Sequence, residues 1–167
     1  MFAVSHSTTT NVSKEGVWSS WEDVSSWPTW DQSLKAAEAK EGFIVGKKAV
    51  LMSLSGPPVE ATFVSIDKEK GEFTNQANLG VLVVKTFHSV SEEEGMTRIT
   101  HKATIEVKDP QKGGPLASKI WTALSEELPA SVDKLARVAR GSVGTKRGAP
   151  AESKDSELKP SKKGKNS

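Results

Sequence analysis

Positions 96–108 alternate without interruption: Ile99, His101, Ala103, Ile105 and Val107 share one side, and Arg98, Thr100, Lys102, Thr104, Glu106 and Lys108 the other. A period of two with one apolar and one charged side is a strand that buries a single face. Five upstream runs, 34–41, 47–54, 59–67, 72–79 and 81–91, also read as strands. Each ends at a turn signal: Gly42 and Gly46, Ser55-Gly56-Pro57-Pro58, Lys68-Glu69-Lys70-Gly71, Gly80, and Glu92-Glu93-Glu94-Gly95. Hairpin-length connections between evenly spaced runs predict an antiparallel meander. In 81–91 both sides are apolar, with Val81, Val83 and Phe87 set against Leu82, Val84, His88 and Val90.

The flanks differ from this middle. Residues 2–11 are rich in Thr and Val and predict a further strand. Ser13 is a helix N-cap, and Val17, Trp18, Trp21 and Val24 follow at helical spacing. Ser25-Ser26-Trp27-Pro28 breaks that helix, and Pro28 in a first turn predicts a second short helix over 29–34. A long helix is predicted over 115–139, with Leu116, Ile120, Leu124 and Leu128 stepping by four and Leu135 and Val138 continuing the stripe. Pro129 inside it predicts a kink or a split. The class is α+β: a curved antiparallel sheet of about seven strands wrapped around a long C-terminal helix, with two short helices after the first strand.

Composition changes the picture at the C-terminal end. Lys146, Arg147, Lys154, Lys159, Lys162, Lys163 and Lys165 outnumber Glu152, Asp155 and Glu157, whereas 1–140 carries a slight excess of acids. The high isoelectric point therefore belongs to 141–167, a segment with few bulky apolar residues that reads as a disordered basic tail. The domain expected to fold is 1–140. Its charge gives no reason to expect nucleic acid as its ligand. The tail, by contrast, could attract anionic surfaces, dock a protein partner, or serve nuclear import, an alternative to a cytoplasmic location. The chain has no cysteine, which excludes disulfides and thiol catalysis. No apolar run approaches the ~20 residues of a membrane-spanning helix.

The candidate chemistry is sparse. Of the three histidines, His101 sits on the apolar side of its strand and His88 on one of two apolar sides. Either could serve a cavity as a general base, since imidazole titrates near neutral pH. No closely spaced His/Asp/Glu set predicts a metal, no nucleophile elbow surrounds Ser13, Ser19 or Ser20, and no phosphate loop or cofactor motif is present.

Several segments resemble a known family. Val17-Trp18, the run Asp23-Val24-Ser25-Ser26-Trp27-Pro28-Thr29-Trp30-Asp31, Phe43-Ile44-Val45-Gly46-Lys47, Met96-Thr97-Arg98-Ile99-Thr100-His101 and Gly114-Pro115-Leu116 are similar to the helix-grip (START-like, SRPBCC) superfamily. Within it they resemble the polyketide cyclase/dehydrase and lipid transport group. The resemblance covers 1–140. It implies a cavity between sheet and helix that holds a small hydrophobic molecule, lipid-like or aromatic. The residues expected to line it are Trp30, Val50, Phe63, Val83, Phe87, Ile99, His101, Ile120 and Leu124, entered near Gly56-Pro57-Pro58 and Gly80. The alternative is a cyclase or dehydratase with His101 or His88 as general base.

Overall fold

The computed structural model describes residues 2–147, with side chains through 139. Of the basic segment 141–167, read as a disordered tail, residues 148–167 lie outside the described residues, and over 141–147 the backbone continues the last helix.

Seven antiparallel strands form one sheet: β1 (Phe2–Thr10), β2 (Leu34–Glu38), β3 (Lys48–Ser53), β4 (Val59–Asp67), β5 (Glu72–Asn78), β6 (Leu82–Glu93) and β7 (Met96–Val107). The spatial order β1-β7-β6-β5-β4-β3-β2 makes β2 to β7 a meander and places β1 and β2 at opposite edges. The segment between those two strands must therefore cross the whole sheet. It does so as helix α1 (Lys14–Glu22) followed by a 3₁₀ helix (Val24–Thr29). Ser13 caps α1, its hydroxyl accepting from Gly16 N at 3.1 Å.

The second short helix lies earlier than its predicted position at 29–34, because side chains close the turn sooner. Ser26 Oγ donates to Asp23 O at 2.7 Å and Thr29 Oγ1 to Ser26 O at 2.6 Å. Pro28 thus falls near the end of the helix. Asp31 Oδ1 then accepts from Ser33 N at 3.0 Å and turns the chain into β2.

Helix α2 (Pro110–Arg147) also starts earlier than predicted. Asp109 Oδ1 accepts from Gln111 N at 3.1 Å and Lys112 N at 3.2 Å, and Pro110 stands where its missing N–H costs nothing. The helix runs unsplit through Pro129. Leu128, Val132, Leu135 and Ala139 are buried around that proline, and this packing outweighs one lost backbone hydrogen bond. Leu116 and Trp121 are partly exposed; Ala117 takes the inward place at the start of the stripe.

α2 packs chiefly against β1, β7 and α1. Beneath α1 and the 3₁₀ helix the interior is filled by aromatic rings. Trp18, Trp21, Trp27, Phe63 and Phe73 are buried together, with Phe43 stacked edge-on to Phe63 at 4.9 Å and Phe73 at 5.0 Å. Aromatic packing of this kind favours edge-to-face contact and buries large areas. No helix among the described residues is long and apolar enough to cross a membrane.

Candidate functional site

Strand alternation decides what faces the interior. In β7 the inward set is Thr97, Ile99, His101, Ala103 and Ile105; in β6 it is Leu82, Val84, Thr86, His88 and Val90. The register then places His6, His101, His88 and Phe73 directly opposite one another across β1, β7, β6 and β5. All three histidines of the chain therefore lie in one cross-strand row.

Each meets a different environment. His6 Nε2 lies 3.1 Å from Asp133 Oδ1, tying the edge strand β1 to α2. His88 is buried, its ring stacked on Phe73 at 3.9 Å, and its Nδ1 lies 3.3 Å from Phe73 O. A carbonyl only accepts, so Nδ1 carries the proton and Nε2 keeps a lone pair. Burial pushes the His88 pKa down to about 3, against a partly compensating lift from the Phe73 carbonyl. His101 is held well below the ordinary value by burial first, then by the positive charges that His88 and His6 would carry. Its Nε2 has no hydrogen-bond partner. Both central histidines are neutral imidazoles at neutral pH.

Two cavities lie beside this row. The polar one, of about 110 Å³, is bounded by Trp27, Trp30, Asp31, His88, His101 and Glu127, with Leu51, Asn75, Thr86 and Leu124 among the remaining walls. The apolar one, of about 270 Å³, is walled by Leu34, Leu51, Val59, Ala61, Ala77, Leu79, Val84 and Ile120. Leu51, Asn75 and Thr86 belong to both, so the two spaces are neighbours along one wall. They sit toward β2–β5, where α2 packs least.

The expected lining separates accordingly. Trp30, His101 and Leu124 border the polar cavity and Ile120 the apolar one. Phe63 is fully buried within the aromatic cluster, and Ile99 is likewise packed into the core, so neither borders a cavity. Val50, Val83 and Phe87 alternate with the inward residues Leu51, Leu82 and His88 and so occupy the opposite face of the sheet.

The sequence reading missed Asp31, Asn75, Thr86 and Glu127. Asn75 carried a usable signal, a polar residue on the same strand face as the inward Phe73 and Ala77. Glu127 stands one position before the buried Leu128, at the margin of the apolar stripe. Burial, then the negative charges of Asp31 and Glu126, raises the Glu127 carboxyl above its ordinary value.

The solved structures similar to this one share its fold at low identity. A hypothetical protein, jhp0584 from Helicobacter pylori, is 16% identical with a TM-score of 0.69, covering 83% of this chain and 88% of that one. Norcoclaurine synthase from Thalictrum flavum, in complex with dopamine and hydroxybenzaldehyde, is 14% identical with a TM-score of 0.61, covering 82% of this chain and 85% of its own. The di-domain ARO/CYC protein BexL from the BE-7585A biosynthetic pathway is 10% identical with a TM-score of 0.66, covering 87% of this chain and 48% of that one. No curated protein sequence matches the chain. The model of one family, described as polyketide cyclase/dehydrase and lipid transport, matches residues 1–140. With its meander, crossing helices and gripped C-terminal helix, the chain belongs to the polyketide cyclase/dehydrase and lipid transport family of the helix-grip superfamily.

Proposed function

We propose that the protein binds a small, largely apolar molecule between the sheet and α2, with residues 1–140 as the binding unit and 141–167 as a basic extension. The observation that carries this reading is the 270 Å³ space bordered mostly by aliphatic side chains, beside a core filled by aromatic rings. Protein interiors are close-packed, and an apolar void forfeits contacts that a ligand restores. Burying the ligand's apolar surface supplies roughly 25 cal/mol per Å² before the costs of association. Entry would lie between Ile120 of α2 and the ends of β3, β4 and β5 at Ser53, Val59 and Leu79. His101 would face the ligand's polar end.

Ala77 borders the apolar cavity from the middle of a strand, so Ala77→Trp would fill it. Native mass spectrometry of the purified protein and titration with an environment-sensitive apolar dye test the reading. Binding by the wild type and its loss in a folded Ala77→Trp variant support it. Undiminished dye binding by that variant would sink it.

The second reading is a cyclase or dehydratase. The nearness of His88, His101, Asp31 and Glu127 in one cavity favours it, as does the occurrence of synthases and ARO/CYC proteins with this fold. Against it, both histidines are weak bases, far from the near-neutral pKa that suits general-base work. Glu127, whose pKa is raised, is the better-matched acid or base. Turnover that vanishes in Glu127→Gln but persists in His101→Gln would support that assignment.

A further inference from the structure

We propose that the polar cavity receives a protonated amine, so that the ligand is an apolar molecule with a cationic nitrogen at one end. This inference rests on the binding reading above and names its ligand class. The first observation is charge. Asp31 and Glu127 border the cavity, and among the described residues that line it none is Lys or Arg. Asp31 Oδ1 is occupied by Ser33, whose N and Oγ approach at 3.0 and 2.7 Å, and Oδ2 remains for a ligand. A carboxylate or phosphate head would meet two like charges and no counter-charge.

The second observation is independent of the acids. His101 is 97% buried, borders the cavity and has no partner on Nε2. His88 also borders it, with its Nδ1 proton committed to Phe73 O, so its Nε2 lone pair accepts and does not donate. An ammonium group is a donor without acceptor sites and suits such a wall. The third observation is aromatic. Trp27 and Trp30 border the same space with ring centroids 5.7 Å apart, and Trp30 lies 5.6 Å from His101. Indole rings attract cations through their quadrupole, most strongly where water is excluded. Two indole faces, two carboxylates and the His88 Nε2 acceptor, with no Lys or Arg among the described lining residues, suit an ammonium group. The adjoining aliphatic cavity would take the rest of the molecule.

The test is calorimetric titration of the full chain with naphthylethylamine, naphthylethanol and naphthylacetate at neutral pH and moderate salt. These probes share an aromatic body and differ at the head. The amine should bind about tenfold more tightly than the alcohol, and the carboxylate more weakly than either. Asp31→Asn combined with Glu127→Gln should erase the amine's advantage, so that amine and alcohol bind alike. Glu127→Gln alone, at an exposed position that does not threaten folding, should lose part of it. If the alcohol or the carboxylate binds as tightly as the amine, or the advantage survives in the double variant, the amine assignment is overturned while the apolar site stands. If none of the three binds, the site itself falls and the amine with it.

Discussion

His88 and His101 face each other across β6 and β7 with ring centroids 4.5 Å apart, both buried and both neutral. Two imidazoliums at that separation inside a core would repel and lack water. Folding therefore holds both in the uncharged form, while the unfolded chain lets each titrate normally. Below pH 6.5 the unfolded state binds protons that the native state refuses, so stability falls as pH drops from 6.5 toward the native value of His88 at about 3. Between pH 6.5 and about 5, before most carboxylates titrate, urea midpoints should decline. The full slope is about 1.4 kcal/mol per pH unit for each histidine. His101→Gln should remove part of the slope. A flat profile over that window would show that the native state accommodates the charge.

Asp109 is the cap on which the start of α2 depends, through two backbone N–H groups held by one carboxylate oxygen. Asp109→Ala should cost about 1 kcal/mol, and Asp109→Asn markedly less. Equilibrium denaturation of the three proteins measures this. Equal stability of Ala and wild type would mean that the first turn frays without consequence.

Much of the architecture could be read along the chain because period-two patterning and glycine turns are local. The boundaries of β4 followed from its flanking turn signals, and the inward set of β7 from alternation. The early start of α2 was also written locally, in Asp109-Pro110, but the stripe beginning at Leu116 was the louder pattern. The site was less legible because it depends on register. Nothing near His6, His88 or His101 in sequence states that the three are neighbours; that emerges only when β1 closes against β7. The two-sided apolar pattern of β6 left Val83 and Phe87 eligible for the interior, and only the placement of His88 inward sends them out. Phe63 faces inward, yet Trp27, Phe43 and Phe73 pack around its ring and fill that space.

Gly71 and Gly80 both adopt positive φ, at 76° and 84°, but only Gly71 is crowded. A Cβ at Gly71 would lie 2.4 Å from Val90 O and 2.8 Å from Lys14 Cε, whereas a Cβ at Gly80 meets nothing within 4 Å. Gly80→Ala therefore carries only the backbone cost, roughly 1–2 kcal/mol. Gly71→Ala should cost clearly more, because the β4–β5 turn must withdraw from β6, where Val90 N donates to Gly71 O at 2.8 Å. Thermal melts of the pair check the ordering; equal losses would show that the turn moves freely.

Trp27 and Trp30 provide a matched test of hydrogen bonding at the edge of the site. Both indoles are 3% exposed, so replacing either with Phe removes similar buried volume. Trp27 Nε1 donates to Trp21 O at 3.0 Å, and that carbonyl lies in the last turn of α1, where backbone acceptors lack helical partners. Trp27→Phe therefore leaves a buried acceptor unsatisfied and unclasps the 3₁₀ helix from α1. Trp30 Nε1 has no protein partner, so Trp30→Phe deletes a buried donor that was already unpaired. Trp27→Phe should be the more destabilising by about 1–2 kcal/mol. Under the amine assignment both indoles border the cavity, so Trp30→Phe should cost binding although it costs little stability. Trp30 stands beside His101 in the cavity wall, and exchanging its indole for the weaker quadrupole of a benzene ring should lower affinity for the amine probe more than for the alcohol. Denaturation and calorimetry on the same two variants would separate the roles. If both properties fell together in Trp27→Phe alone, Trp30 would have no part in recognition.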